Sequence, residues 1–168
     1  WPARRTVVVR TATKRVAAVI CDGGRAMRVS EVLRRKGADV ITVGPDRSVR
    51  DLLGLLAEHG IGAVVVSADG AGVDGIVSER DVVRRIHASG AEVLDGPVAA
   101  IMTTDVETCA PPDDLEQLMD TMTERRIRHL PVLDDGRLVG IISIGDVVKH
   151  RYSEVQAERD QLTAYISR

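Results

Sequence analysis

Val49, Leu52, Leu53 and Leu56 fall at the i, i+3, i+4, i+7 spacing that gathers apolar side chains on one face of a helix. Sixty-six places later the same stripe returns as Leu115, Leu118, Met119 and Met122. The match extends to both sides. Asp39-Val40-Ile41-Thr42-Val43 lies over Asp105-Val106-Glu107-Thr108-Cys109, Pro45 over Pro111, Ile61 over Ile127, Val66 over Val132, and Asp69-Gly70 over Asp135-Gly136. Past that turn the offset drops to 65, and Gly75-Ile76-Val77-Ser78 with Asp81-Val82-Val83 overlies Gly140-Ile141-Ile142-Ser143 with Asp146-Val147-Val148. Surface turns absorb such one-residue changes easily. The chain is therefore built on an internal duplication.

The patterning predicts the same elements in both copies. In the first, a short helix at 29–35 precedes a strand at 40–43, a helix at 48–59, strands at 63–67 and 73–77, and a helix at 79–88. The second repeats this order at 98–102, 106–109, 113–125, 130–134, 137–142 and 144–151. Each Asp-Gly pair marks a hairpin turn. Ser48 with Asp51, Ser78 with Asp81, and Ser143 with Asp146 have the spacing of a capping box, with Asp in place of Glu. A single copy of about 60 residues supports only a marginal core. The expected fold class is thus one α+β body with pseudo-two-fold symmetry, its two three-stranded sheets packed face to face. Residues 27–89 form the first repeat, 90–97 the connection and 98–152 the second repeat; a C-terminal helix runs over 153–168. Val147, Val148, Tyr152, Val155, Leu162, Tyr165 and Ile166 continue this last helix without Gly or Pro. They are too sparse for a full core face, which leaves two readings: packing against a second subunit in a homodimer, or a solvated tail.

Composition narrows the function classes. Of the 168 residues, 44% are hydrophobic and 29% charged, which fits neither disorder nor a membrane bundle. Aromatic residues are 2% with no Phe, so the core must be aliphatic and a base-stacking platform for single-stranded nucleic acid is excluded. The longest apolar runs, 16–21 and 64–66, fall far short of the roughly 18 residues that cross a bilayer, so no membrane association is expected. Cys21 and Cys109 stand alone, without a CxxC pair, and suggest a reducing cytoplasm. His59, His87, His129 and His150 lack metal-ligand spacing, and no nucleophile stands in a catalytic context. Neither a metal site nor an enzymatic activity is expected. Residues 1–26 carry six basic groups and one acid; without them, 17 basic and 24 acidic groups remain, a charge of −7 against −2 for the whole chain. This leader is read as a poorly ordered extension ahead of a start at Met27, with a targeting peptide or a nucleic-acid arm as alternatives. The acidic remainder argues against nucleic acid as a partner.

The repeated Gly-apolar-apolar-Ser-x-x-Asp at the last strand–helix junction, with the hairpin Asp-Gly in register, resembles a tandem pair of CBS domains, the Bateman module. The resemblance covers residues 27–150. It implies two β-α-β-β-α repeats without a fused catalytic domain and clefts for adenosine-containing ligands such as AMP, ATP, NAD or S-adenosylmethionine. It also implies pairs that dimerise, a sensor role, and regulation of a separate protein target.

The residues bear this out chemically. Ser78 and Ser143 would place hydroxyls beside the unpaired N–H groups and positive dipole end of a helix, where a phosphate oxygen fits. Asp81 and Asp146 could accept both hydrogen bonds of a ribose diol. The same spacing also serves as a plain helix cap worth ~1 kcal/mol. Thr42 and Thr108, at matched strand positions, are where the resemblance puts contact with adenine; a β-branched strand residue is the alternative. Val40, Val43, Ala63, Ile76 and Val106 could wall the base or simply fill the core. The copies differ where Gly62-Ala63 is replaced by Arg128-His129 and where Glu79-Arg80 is replaced by Ile144-Gly145. Arg128, His129 and Arg80 are accordingly phosphate candidates or surface charges, and the two clefts are expected to prefer different ligands. The competing function is a scaffold module whose clefts hold no ligand.

Overall fold

The computed structural model describes residues 9–11, 27–37 and 39–166. The first repeat contains β2 (Thr42–Val43), α2 (Val49–His59), β3 (Ala63–Val66), β4 (Gly75–Ser78) and α3 (Glu79–Ser89). The second contains β5 (Val106–Thr108), α4 (Leu115–Glu124), β6 (His129–Asp134), β7 (Arg137–Ser143) and α5 (Ile144–Ile166). Ahead of them lie β1 (Val9–Thr11) and α1 (Val29–Lys36), and single turns of 3-10 helix span Ala91–Asp95 and Val98–Ala100. α5 runs unbroken through the expected boundary at 152/153.

Local chemistry sets the element ends. The Ser48 hydroxyl accepts from Asp51 N–H at 3.0 Å, and Asp114 Oδ1 accepts from Glu116 N–H at 2.8 Å, so α2 and α4 each start on a side-chain cap. In the β6–β7 hairpin, Asp135 and Gly136 both have positive φ, 46° and 77°, the conformation that matches a two-residue turn to strand twist.

Each repeat forms a small mixed sheet. β3 lies between β2, parallel to it, and β4, antiparallel. β6 pairs antiparallel with β7, and the Cys109–Val132 bridge joins the end of β5 to its other side in the parallel sense. The outer edge of β5 is covered by β1 in parallel register, Val9 opposite Val106 and Thr11 opposite Thr108. Residues 9–11 thus depart from the expected disorder of the leader, because an open strand edge offers backbone groups that a β-branched segment can satisfy. The remainder of 1–26 lies outside the described residues. Val65, Val73 and Val106 are buried together with Val40, Ile76, Leu133, Leu138 and Ile141, joining the two sheets.

The boundaries in space differ from those along the chain. Met27 and the α1 residues Val29, Val32 and Leu33 are buried among Leu115, Leu118, Met122, Leu130, Ile142 and Val147, all from the second repeat. Conversely, Val98 and Ile101 enter the core of the first, with Val49, Leu52, Leu56 and Val77. Backbone bonds follow the exchange: Val29 N–H donates to Asp113 C=O at 3.0 Å, and Val98 N–H donates to Arg47 C=O at 2.8 Å. The leading segment of each repeat therefore packs on the other copy. The repeated glycines mark the crossings. A Cβ on Gly140 would lie 2.5 Å from Leu33 Cδ2, and one on Gly75 would lie 2.7 Å from Met102 Sδ and 2.9 Å from Thr103 C=O.

Candidate functional site

At the start of α5, Asp146 Oδ2 accepts from Ser143 N–H at 2.8 Å and from the Ser143 hydroxyl at 2.7 Å. The first repeat copies this: Asp81 Oδ2 accepts from Ser78 N–H at 2.8 Å and from its hydroxyl at 2.6 Å. Both pairs are helix caps in the sense the spacing allows. Among the described residues, neither Asp81 nor Asp146 engages its Oδ1 in a hydrogen bond. One carboxylate oxygen at each corner thus keeps its accepting capacity.

The corners differ because α1 crosses over. Its last residue, Lys36, donates to Asp146 Oδ2 at 2.8 Å and to Ile141 C=O at 3.2 Å. Among the described residues, no lysine or arginine bonds to Asp81. Burial pushes the Asp146 carboxyl upward, but the Lys36 ammonium and the Ser143 N–H and hydroxyl outweigh it and hold the group below the usual carboxylate range. His129 is paired across β6–β7 with Ser143. Burial first, then the positive charge of Lys36, lowers its imidazole; Asp146 pulls the other way and Arg128 adds to the lowering.

Two hollows open near these corners. Asp81, Arg84, Arg85, Ala88 and Ile101 line one of about 270 Å³, bounded by α3 and the segment exchanged from the second repeat. Arg85 closes one side by donating to Ala100 C=O at 3.1 Å. The other, of about 290 Å³, is lined by Arg80 from α3 and by Met122, Thr123, Arg126, Ile127, Arg128 and Ile144 from the second repeat.

The candidate residues therefore separate into groups. Arg80 and Arg128, distant in sequence, meet at one hollow; Asp81 lines the other; His129, Ser143 and Asp146 cluster around Lys36. Ala63 is 5% exposed and pairs with Ser78 in the sheet. Thr42 is half-buried. Thr108 is wholly buried, opposite Thr11 of β1, and its Oγ1 has no hydrogen-bond partner among the described residues. Lys36 and Arg126 were not legible as site residues. Lys36 reaches the corner only through the exchange of α1, and Arg126 is marked in sequence only by facing Gly60 of the first repeat.

The CBS domain profile matches residues 29–88 and 98–153. Over 152 residues the chain is 34% identical to the CBS domain-containing protein CBSX3, mitochondrial, of Arabidopsis thaliana, covering 86% of this chain and 74% of that one. The crystal structure of the CBS-domain containing protein ATU1752 from Agrobacterium tumefaciens superposes with a TM-score of 0.72 at 51% identity, over 74% of this chain and 99% of that one. The CBS domain pair of protein MJ0100, solved in complex with 5′-methylthioadenosine and S-adenosyl-L-methionine, shares the fold with a TM-score of 0.69 at 21% identity, over 77% of this chain and 99% of that one. No helix among the described residues is long and apolar enough to cross a membrane.

Proposed function

The chain belongs to the CBS domain family as a tandem pair, and on that premise we propose that it is a stand-alone regulatory sensor binding an adenine nucleotide or another adenosyl compound. The observation that carries this reading is Asp81, which lines a hollow of about 270 Å³ while its Oδ1 remains unengaged. That oxygen accepts from a ribose diol, Ile101 offers the base an apolar contact, and the Arg84 guanidinium meets an anionic group. The MJ0100 pair, which holds adenosyl compounds, supports the fold's suitability for such ligands. The protein acts by binding rather than catalysis: a ligand that favours one arrangement of the exchanged halves shifts what a separate cytoplasmic protein target meets.

Calorimetry with AMP, ATP, NAD and S-adenosylmethionine tests this on the full chain. Saturable binding to at least one is expected, and Asp81→Ala should weaken it by ~1.5–3 kcal/mol, the range for a hydrogen bond to a charged group. Saturable binding to none leaves the scaffold reading, which is favoured by one observation: both Ser–Asp pairs already satisfy each other as caps. Homodimerisation belongs to the same proposal. Val148, Tyr152, Val155 and Leu162 on α5 are 52–67% exposed, and Val83 on α3, the repeat counterpart of Val148, is 66% exposed. Light scattering should give twice the chain mass, and Tyr152→Glu should halve it.

A further inference from the structure

We infer that the hollow of about 290 Å³ between α3 and the start of β6 is a polyanion site, so that the two repeats sort ligands by charge. For its nucleoside half this rests on the sensor reading above; its anionic half stands independently. Arg80 comes from the first turn of α3, Arg126 from the turn after α4, and Arg128 from the residue before β6. Three separate segments thus deliver guanidinium groups to one depression. Among the described residues, none of the three guanidinium groups has a hydrogen-bond or ion-pair partner, although the Arg126 N–H donates to Thr123 C=O and the Arg128 C=O accepts from Ile144 N–H. Some other arginines are matched, Arg50 with Asp95, Arg125 with Glu107, Arg151 with Glu116 and Arg159 with Asp160, while those that are likewise unpaired, such as Arg28 and Arg137, are not among the residues lining this hollow. Convergent like charges repel, and an anion between them removes that repulsion. Beneath them lie buried Met122 and half-buried Ile127 and Ile144, an apolar floor that strengthens the field.

The duplication supplies an internal control. The positions equivalent to Arg80, Arg126 and Arg128 in the other copy are Gly145, Gly60 and Gly62, and Ile144 is replaced by Glu79. A Cβ on Gly62 would lie 3.6 Å from Glu79 Oε2, so the pseudo-symmetric surface carries a carboxylate where this one carries guanidinium groups. Backbone geometry adds weight at Arg126. Gly60 ends α2 with φ 61°, and Arg126 adopts φ 56° at the matching place. An unbranched charged residue occupies a conformation that suits glycine, and its side chain goes to the hollow. The ligand class is a di- or triphosphate, presented by a nucleotide or free.

Titration calorimetry of the full chain with inorganic tripolyphosphate, ATP, AMP and adenosine provides the test. Tripolyphosphate and ATP should bind, AMP should bind about tenfold or more weakly than ATP, and affinity should fall as salt rises. Arg126→Gly copies the first repeat. It should leave the melting temperature unchanged or higher, yet weaken ATP and tripolyphosphate about tenfold, one charge-assisted contact. Arg126→Lys should recover part of that loss. Equal affinities for ATP and AMP, or an Arg126→Gly variant that binds tripolyphosphate as the parent does, would overturn the polyanion site while leaving the sensor reading intact. Tripolyphosphate binding that depends on Arg126, with no added affinity from adenosine, would uphold the polyanion site and sink the sensor reading.

Discussion

Lys36→Met removes the cation at Asp146 without removing the unbranched stem. At a separation of 2.8 Å the bare Coulomb attraction is ~6 kcal/mol for an effective dielectric of about 20 and ~1.5 kcal/mol in water. Desolvation and lost side-chain freedom return most of it. With Lys36 40% and Asp146 21% exposed, the pair belongs near the upper end of the ~0.2–1 kcal/mol measured for accessible pairs. The bond to Ile141 C=O adds a fraction of a kcal/mol. The variant should therefore lose ~1 kcal/mol at neutral pH, a fall of roughly 2–4 °C in melting temperature for a chain of this size. The pH dependence follows from the carboxyl, which is held below its ordinary value in the folded state. Its contribution is present above the unfolded pKa of about 4 and is lost as pH falls through the folded value. Melting curves of parent and variant should separate above the unfolded carboxylate value of about 4 and converge as pH falls through the lower folded one. Carbon-13 titration of the Asp146 carboxyl should move upward in the variant. An unshifted Asp146 titration together with an unchanged melting temperature would refute the lysine's role at this corner.

Two further tests address packing and protonation. Gly75→Ala meets the backbone carbonyl of Thr103 as well as Met102, whereas Gly140→Ala meets only the Leu33 side chain. Urea denaturation should find both destabilised by ~1–3 kcal/mol, Gly75→Ala more so, with Leu33→Ala offsetting part of the Gly140→Ala loss. His129, lowered chiefly by burial, favours folding while neutral. That contribution is complete above the unfolded value of about 6.5 and declines as pH falls toward the folded value. His129→Gln should flatten the stability profile below about pH 6.5; an unchanged slope there would contradict this.

The duplication and the order of elements were readable because each depends on local rules. The stripes at Leu52 and Leu118, the Ser–Asp spacing and the Asp-Gly turns specify helices, caps and hairpins within a few residues of themselves. Ser78–Asp81 and Ser143–Asp146 formed as expected for the same reason. Where α1 packs was not readable. Its apolar face specifies only that it meets an aliphatic surface, and both repeats have an aliphatic core. Lys36 was invisible as a site residue for that reason, and Arg126 gained meaning only when Arg80 and Arg128 were found beside it.

What the sequence determined by itself is the repeated unit, its secondary structure and the chemistry available at its last strand–helix junction, because these follow from periodicity and from bonds between near neighbours. The tertiary structure alone decided that the leading segments change places. It also decided that one corner receives a lysine and that three arginines, each facing a glycine in the other copy, share one hollow. Those outcomes depend on which distant surfaces touch, and two halves that share one apolar pattern leave that choice to the packing of the whole.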